Sequence, residues 1–365
     1  MIRETSDRLS APSSNALLVG PLPPPHGGRA TYTRLLGLNL IARGWDVQVL
    51  DTGGGTERAH KLPHVAVPTR VAFLRSYVRA SAYPVLVTAS DRRPAGYPFL
   101  AVLVGRIRRQ RVVVNVLSGR FAADMSNWSA LTRLCRRLTL RLADGVVACN
   151  QELVDAVESL HVPRSKLHLA GCLLPRLEDL EGQEEAQVPL PEFIQDHQPL
   201  LVAVGSFRPV YRLWLAVEAV PRIRAEFPSA GLVVVTSGGE DDAEKKRFLG
   251  EVARVGREHV AHLREVANPQ LLALLDRCDV FLRLTTHDGD SVSLQEALAR
   301  GIRCVATDTG HRPASVVTVR EPTPEAVSDA VGRALRRGAP RPGCSSDVAE
   351  RNIYGLMHAL RGGRT

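Results

Sequence analysis

Two apolar, β-branched runs, DVFLRLTT (279–286) and CVATD (304–308), flank one polar turn and one short stretch of helical composition. Apolar runs without strict alternation fit strands buried on both faces. The stretch between them, Ser291 to Arg300, stops at Gly301, where a helix C-cap belongs. Strand, turn, helix, glycine and strand make a βαβ crossover, which joins parallel strands. Doubly wound parallel sheets bind ligands outside the carboxyl ends of their strands. The turn expected at that edge carries Asp288, Gly289 and Asp290, and Glu296 follows inside the helix. The helix start, over Ser291, Val292 and Ser293, offers unpaired N–H groups and a partial positive charge, a seat for phosphate.

The same grammar recurs along the chain. Asn15–Gly20, the DVQVLD run, Val85–Ala89, Val112–Leu117, Gly145–Cys149 and Leu167–Cys172 read as strands, with a helix over Arg29–Arg43. A second series runs LLVAVGS, helix 213–227, GLVVVTSG, helix 241–255, HVAHLRE and helix 269–277 before the central unit. Helices over Thr323–Arg336 and Ser346–Leu360 close it. The expected fold class is α/β, with two successive Rossmann-like, doubly wound domains. The expected boundaries are a disordered lead-in at 1–14, one domain at 15–180, an acidic, proline-bearing linker at 181–198, a second domain at 199–340 and a terminal segment at 341–365. A chain of 365 residues is long enough for two such cores.

Composition narrows the partners. The net charge is +9, and only four of the basic residues are lysines. An arginine excess suits phosphate-bearing ligands or anionic surfaces, but zinc-finger spacing and aromatic-studded basic strands are missing, which argues against nucleic acid. The six cysteines form no CxxC pair and three fall in expected strands (Cys149, Cys172, Cys304), the pattern of reduced thiols in a cytoplasmic protein. No apolar run approaches a membrane span. Two basic stretches, Arg106–Arg111 and Arg133–Arg141, read first as solvated helix faces, with peripheral contact to the inner face of a membrane as the alternative.

Three loops carry candidate chemistry. His26, Gly27 and Gly28 follow the first strand, where glycines let a backbone approach a pyrophosphate. The loop does not spell GxGxxG or a Walker lysine, so neither dinucleotide binding nor P-loop chemistry is indicated. GSFRPVYR follows the first strand of the second series, and there Gly205, Arg208 and Arg212 are placed to meet a diphosphate. In the third, Asp288-Gly289-Asp290 matches a DxD metal motif, whereas Asp290 is expected to face outward as a helix-start acid. Ser293 and Glu296 have the spacing of a capping box, the bland reading of that glutamate.

Taken together, three segments resemble the retaining GT-B glycosyltransferases of family 4 (glycosyl transferases group 1). They are PPPHGGRATYTRLLGLNLIARGWDVQVL, VVACNQELVDAVESLHVPRSKLHLAG and RCDVFLRLTTHDGDSVSLQEALARGIRCVATDTG. The resemblance implies two Rossmann-like domains facing each other across a cleft, with the final helix crossing back to the first domain. It implies a nucleotide-diphosphate sugar, a UDP- or GDP-sugar, as co-substrate, with no further cofactor and no metal. Glu296 would hold the ribose and Asp288 the donor sugar hydroxyls. Backbone N–H groups from Gly289 to Ser293 would meet the distal phosphate opposite Gly27 and Gly28, and Arg208 and Arg212 would carry charge on the leaving group. The sequence departs from the family pattern in three places. The first acid is Asp288 where the family has glutamate, Ser206 and Tyr211 stand near its arginine and lysine, and Leu117 stands near its histidine. His26, Asn115, Ser118, Gly119 and Arg120 become the candidates for the acceptor and sugar site. The expected reaction is transfer to an acceptor hydroxyl in polysaccharide, glycolipid or natural-product biosynthesis. The alternatives are a nucleotide-sugar epimerase of the same fold or a non-catalytic sugar- or lipid-binding relative.

Overall fold

A computed structural model describes residues 14–23, 28–53, 62–80, 83–88, 96–174, 192–239, 241–338 and 344–362. Two wholly parallel sheets organise them. The first contains β1 (Asn15–Gly20), β2 (Asp46–Asp51), β3 (His64–Ala66), β4 (Val85–Thr88), β5 (Val112–Val116), β6 (Gly145–Ala148) and β7 (Leu167–Leu169), in spatial order 3-2-1-4-5-6-7. The second contains β8 (Leu200–Gly205), β9 (Gly231–Thr236), β10 (Val260–Arg264), β11 (Val280–Arg283), β12 (Arg303–Thr307) and β13 (Val317–Val319), in order 10-9-8-11-12-13. In both sheets the order reverses beside the first strand, so each has a switch point where connections leave in opposite directions.

Twelve helices are found among the described residues. In the first lobe they are α1 (Gly28–Ile41), α2 (Arg70–Arg79), α3 (Tyr97–Arg108), α4 (Arg120–Asp124), α5 (Ala130–Leu142) and α6 (Gln151–Ser159). In the second they are α7 (Leu213–Glu226), α8 (Asp242–Val255), α9 (Asn268–Leu275), α10 (Val292–Ala299) and α11 (Pro324–Arg336), and α12 (Cys344–Arg361) comes last.

Alternation along each strand feeds two cores. In β5, Val112, Val114 and Val116 face the layer of α2, α3 and α6, where Phe73, Tyr77 and Val157 pack. Val113 faces the other way, toward Leu35 and Leu36 of α1. Ile353, Leu356 and Leu360 of α12 fill that same layer, so the last helix returns to the first lobe. The second lobe repeats the plan, with α7, α8 and α11 on one face of its sheet and α9 and α10 on the other.

Strand β7 is shorter than its apolar run predicts. It stops at Leu169, and Cys172 lies beyond it with its N–H donated to the Asp290 carboxylate at 2.7 Å instead of to a neighbouring strand. Cys149 and Cys172 are buried free thiols.

Candidate active site

In the second lobe β8 and β11 pair directly, so their carboxyl ends bring the loops 206–212 and 284–291 together at the switch point. From the first lobe, the loop after β5 closes on the second of these. A Cβ added to Gly119 would stand 2.2 Å from the Asp288 carbonyl oxygen, and one on Gly289 would stand 2.4 Å from that of Leu117. The lobes therefore meet backbone to backbone, an approach only glycine permits. Gly289→Ala is expected to part them, lowering stability by roughly 1–3 kcal/mol, as overpacking does, and raising the radius of gyration in small-angle scattering. An alanine variant with unchanged scattering and stability would show that this contact is loose.

The Asp288 side chain turns back into its own lobe. Arg283, at the end of β11, donates from Nε to Oδ2 at 2.8 Å and from Nη2 to Oδ1 at 3.1 Å. Arg312 reaches Oδ2 at 3.3 Å and also donates to the Thr285 hydroxyl at 3.0 Å. All three side chains are nearly buried. Burial works against the Asp288 anion, but Arg283 and then Arg312 outweigh it and hold the carboxyl down at about 2. One carboxylate is thus shared by two guanidiniums. Tyr211 packs on Gly205 and presents its ring to Arg283, with the guanidinium carbon 5.1 Å from the ring centroid.

Asp290 does not point outward. Besides the Cys172 N–H, it accepts from Gln295 Nε2 at 2.9 Å, so the acid ties the start of α10 to the first lobe. Its carboxylate supplies the acceptor that the N–H beyond β7 lost when the strand ended. His311 adds a further cross-lobe contact: its Nε2 lies 2.7 Å from the Gly289 carbonyl oxygen of its own lobe and 3.2 Å from Asn150 Nδ2 of the first.

Glu296 is not part of a capping box. The N-cap of α10 is Ser291, whose hydroxyl accepts from Leu294 N, and Ser293 approaches only the Ser291 hydroxyl. Glu296 lies one turn further in and is 2% exposed. Asn268 Nδ2, at the start of α9, donates to its Oε1 at 2.9 Å, and no ion pair neutralises it among the described residues. Burial pushes the carboxyl up to about 7, against the hydrogen bond from Asn268 and the nearby Arg300 charge.

The other candidates divide. Arg212 takes the left-handed conformation (φ 46°) as N-cap of α7 and lines a small cavity with Tyr211, Arg283 and Thr285. A non-glycine residue held in that conformation is strained, a condition that clusters at functional sites. Arg208 is exposed and lies beside Gly239, on the side of the loop toward α8. Asn115, one residue before the end of β5, is fully buried, and neither amide atom has a hydrogen-bond partner among the described residues. Ser118 caps the turn into α4 through its carbonyl, and Arg120 pairs with Asp124 in solvent. Gly28 opens α1, whereas His26 and Gly27 lie outside the described residues. Val292 is the first residue of α10.

Four contributors escaped the sequence reading: Arg283, Arg312, Asn268 and His311. Only Arg283 left a trace there. A charge inside a strand buried on both faces requires a counter-charge.

Two family models match, one on each lobe. "Glycosyl transferase 4-like domain" covers residues 27–172, and "Glycosyl transferases group 1" covers residues 198–337. None of the curated proteins compared with the chain matches it. Among solved structures, Anabaena HepE in complex with UDP-glucose is 13% identical, with a TM-score of 0.65 over 94% of this chain and 99% of that one. A putative UDP-N-acetylglucosamine 2-epimerase from Listeria monocytogenes is 15% identical, with a TM-score of 0.63 over 97% and 99%. Sucrose-phosphate synthase from Thermosynechococcus elongatus is 15% identical, with a TM-score of 0.61 over 95% of each chain. At such identities the likeness is one of fold. The two lobes are glycosyltransferase domains in a GT-B arrangement, 4-like at the amino end and group 1 at the carboxyl end.

Proposed function

We propose that the protein transfers a sugar from a nucleotide-diphosphate sugar, UDP- or GDP-linked, to an acceptor hydroxyl with retention of anomeric configuration. The observation that carries this is Glu296. It is a buried carboxylate beside a helix N-terminus, with one neutral hydrogen-bond donor and a raised pKa, and such groups cluster at functional sites. A ribose diol would supply the donors that the anion lacks, and the α10 N–H groups next to it would take a phosphate. Arg212, the start of α7, and the Arg283–Arg312 pair supply positive charge where the leaving diphosphate gains negative charge.

Both acids of the D-G-D turn already have protein partners, and this supports metal-independent transfer. Asp288 serves the reaction by fixing Arg283 and Arg312, and no side chain here stands out as a nucleophile. The acceptor hydroxyl would then attack from the face the leaving group departs from, with the diphosphate taking its proton. Ser118 and Gly119 stand on the first-lobe side of the junction, where the acceptor and the sugar would meet.

A thermal-shift screen with UDP- and GDP-sugars should show stabilisation, and Glu296→Ala should weaken the effective donor about 10- to 100-fold, the scale of hydrogen bonds to a charged group. Equal affinity in the variant would remove the reading. The anomeric configuration of the product, followed by NMR, tests retention. Conversion of the donor to a 2-epimer without acceptor would select the epimerase instead.

A further inference from the structure

Helix α5 is packed inside out. It buries Arg136 and Thr139 together with Leu140, and the Arg136 guanidinium stacks over Trp128 with its carbon 4.3 Å from the ring centroid. The leucines go the other way. Leu131, Leu134, Leu138 and Leu142 form one stripe at positions i, i+3, i+7 and i+11, with Leu131 67% and Leu134 51% exposed. An amphipathic helix ordinarily turns such a stripe to the core. Here the neighbouring helices extend it: α3 packs against both α5 and α2, and it exposes Leu103 and Ile107 while α2 exposes Val71 and Val78. Most of the exposed large hydrophobic residues among those described sit on these three helices.

The same helices carry nine arginines and no acidic residue. Arg75, Arg79, Arg106, Arg133 and Arg141 are exposed among the apolar side chains. Asp144, just past α5, is held by the Val112 N–H and lies 3.9 Å from Arg106.

We infer that this face docks onto an anionic lipid bilayer, lying on it and not crossing it. An apolar stripe flanked by cations is the pattern of interfacial helices, in which leucines enter the headgroup boundary and arginines meet lipid phosphates. A second copy of the chain fits poorly, because it would set arginine against arginine with no acid to answer. No helix among the described residues is long and apolar enough to span a bilayer. The face also begins close to the lobe junction. Ser129 caps α5 one 3-10 turn (Met125–Asn127) after α4, whose own cap, Gly119, packs against the Asp288 backbone.

The test is sedimentation of the full-length protein with vesicles of equal parts phosphatidylglycerol and phosphatidylcholine, and with vesicles of phosphatidylcholine alone. The protein should pellet with the first at least about tenfold more than with the second, and added salt should release it. Leu131→Ser, Leu134→Ser and Leu138→Ser together should abolish pelleting, and Arg75→Gln, Arg79→Gln and Arg141→Gln should reduce it about tenfold or more. Protein that stays in the supernatant, or binds both vesicles equally, would overturn the inference. So would a leucine variant whose only change is loss of a dimer in analytical ultracentrifugation, since the face would then belong to a second copy. The inference stands apart from the proposed donor site. Donor-induced thermal shifts measured on the same leucine variant report on that site alone, and they should match the unaltered protein.

Discussion

Replacing Asp288 with alanine lowers the unfolding free energy by about 3–5 kcal/mol, the range for removing one partner of a buried ion pair. The variant leaves Arg283 and Arg312 facing each other, nearly buried, with no carboxylate between them. Asp288→Asn keeps the shape and two lone pairs but loses the charge, so it should fall between the two. Changing Arg283 and Asp288 together, to methionine and leucine, should recover part of the loss, because the desolvation penalty goes with the charges. Urea unfolding of the parent, Arg283→Met, Asp288→Leu and the double variant closes the cycle and gives the coupling. An alanine variant within 1 kcal/mol of the parent, roughly the level of a solvated ion pair, would show that water reaches these guanidiniums. The same network makes stability acid-sensitive. Asp288 has its pKa depressed to about 2, so its contribution is complete above the ordinary carboxylate range and is lost as the pH falls through 2.

Glu296→Gln gives the second large effect, with opposite signs for folding and binding. In the folded protein this carboxyl titrates near 7, against 4.5 for an ordinary glutamate. Protonation therefore favours the folded state. The benefit is present below 4.5 and is lost as the pH rises through 7. At pH 8 the ionised side chain costs about 3 kcal/mol, from roughly 1.4 kcal/mol for each pH unit between the two values. Glutamine carries no such charge, so the variant should be the more stable protein at pH 8 and nearly equal to the parent at pH 4. Its affinity for a nucleotide-diphosphate sugar should nevertheless be lower, because the amide is a weaker acceptor for a ribose diol. Thermal unfolding over a pH series, with and without donor, reads both. A variant less stable at pH 8 would mean that an unseen donor satisfies the anion.

Most strands of the two sheets were legible because each is a short apolar run bounded by glycine, proline or charge, as NALLVG and LLVAVG are, whereas the three-residue edge strands β3 and β13 were not read. Their order was legible as a class only: parallel pairing follows from the crossovers, whereas neighbours such as β8 and β11 are chosen in three dimensions. The site divides along the same line. The acidic turn and Glu296 stood out because their polar residues interrupt an otherwise apolar unit. Arg312 did not, since it lies 24 residues from Asp288 and reaches it only because β11 and β12 are adjacent. Asn268 is likewise 28 residues from Glu296. Asp290 was misread for the same reason, because its true partner is a backbone N–H 118 residues away in the other lobe. At α5 periodicity is silent on direction. The leucine spacing marks a face, and no pattern within one helix says whether that face looks inward.

Cys172 lies where the chain leaves the first lobe, and α12 brings it back. The second lobe is therefore tethered at both ends, and a cut in either connection would leave the halves joined. Cys172 is also the knot between the two passages. Its N–H holds Asp290 and its carbonyl holds Asn352 of α12 at 2.9 Å. A pivot of one lobe about this peptide would carry the first turn of α10 with it, and it would free the Asp290 carboxylate only once that N–H had let go.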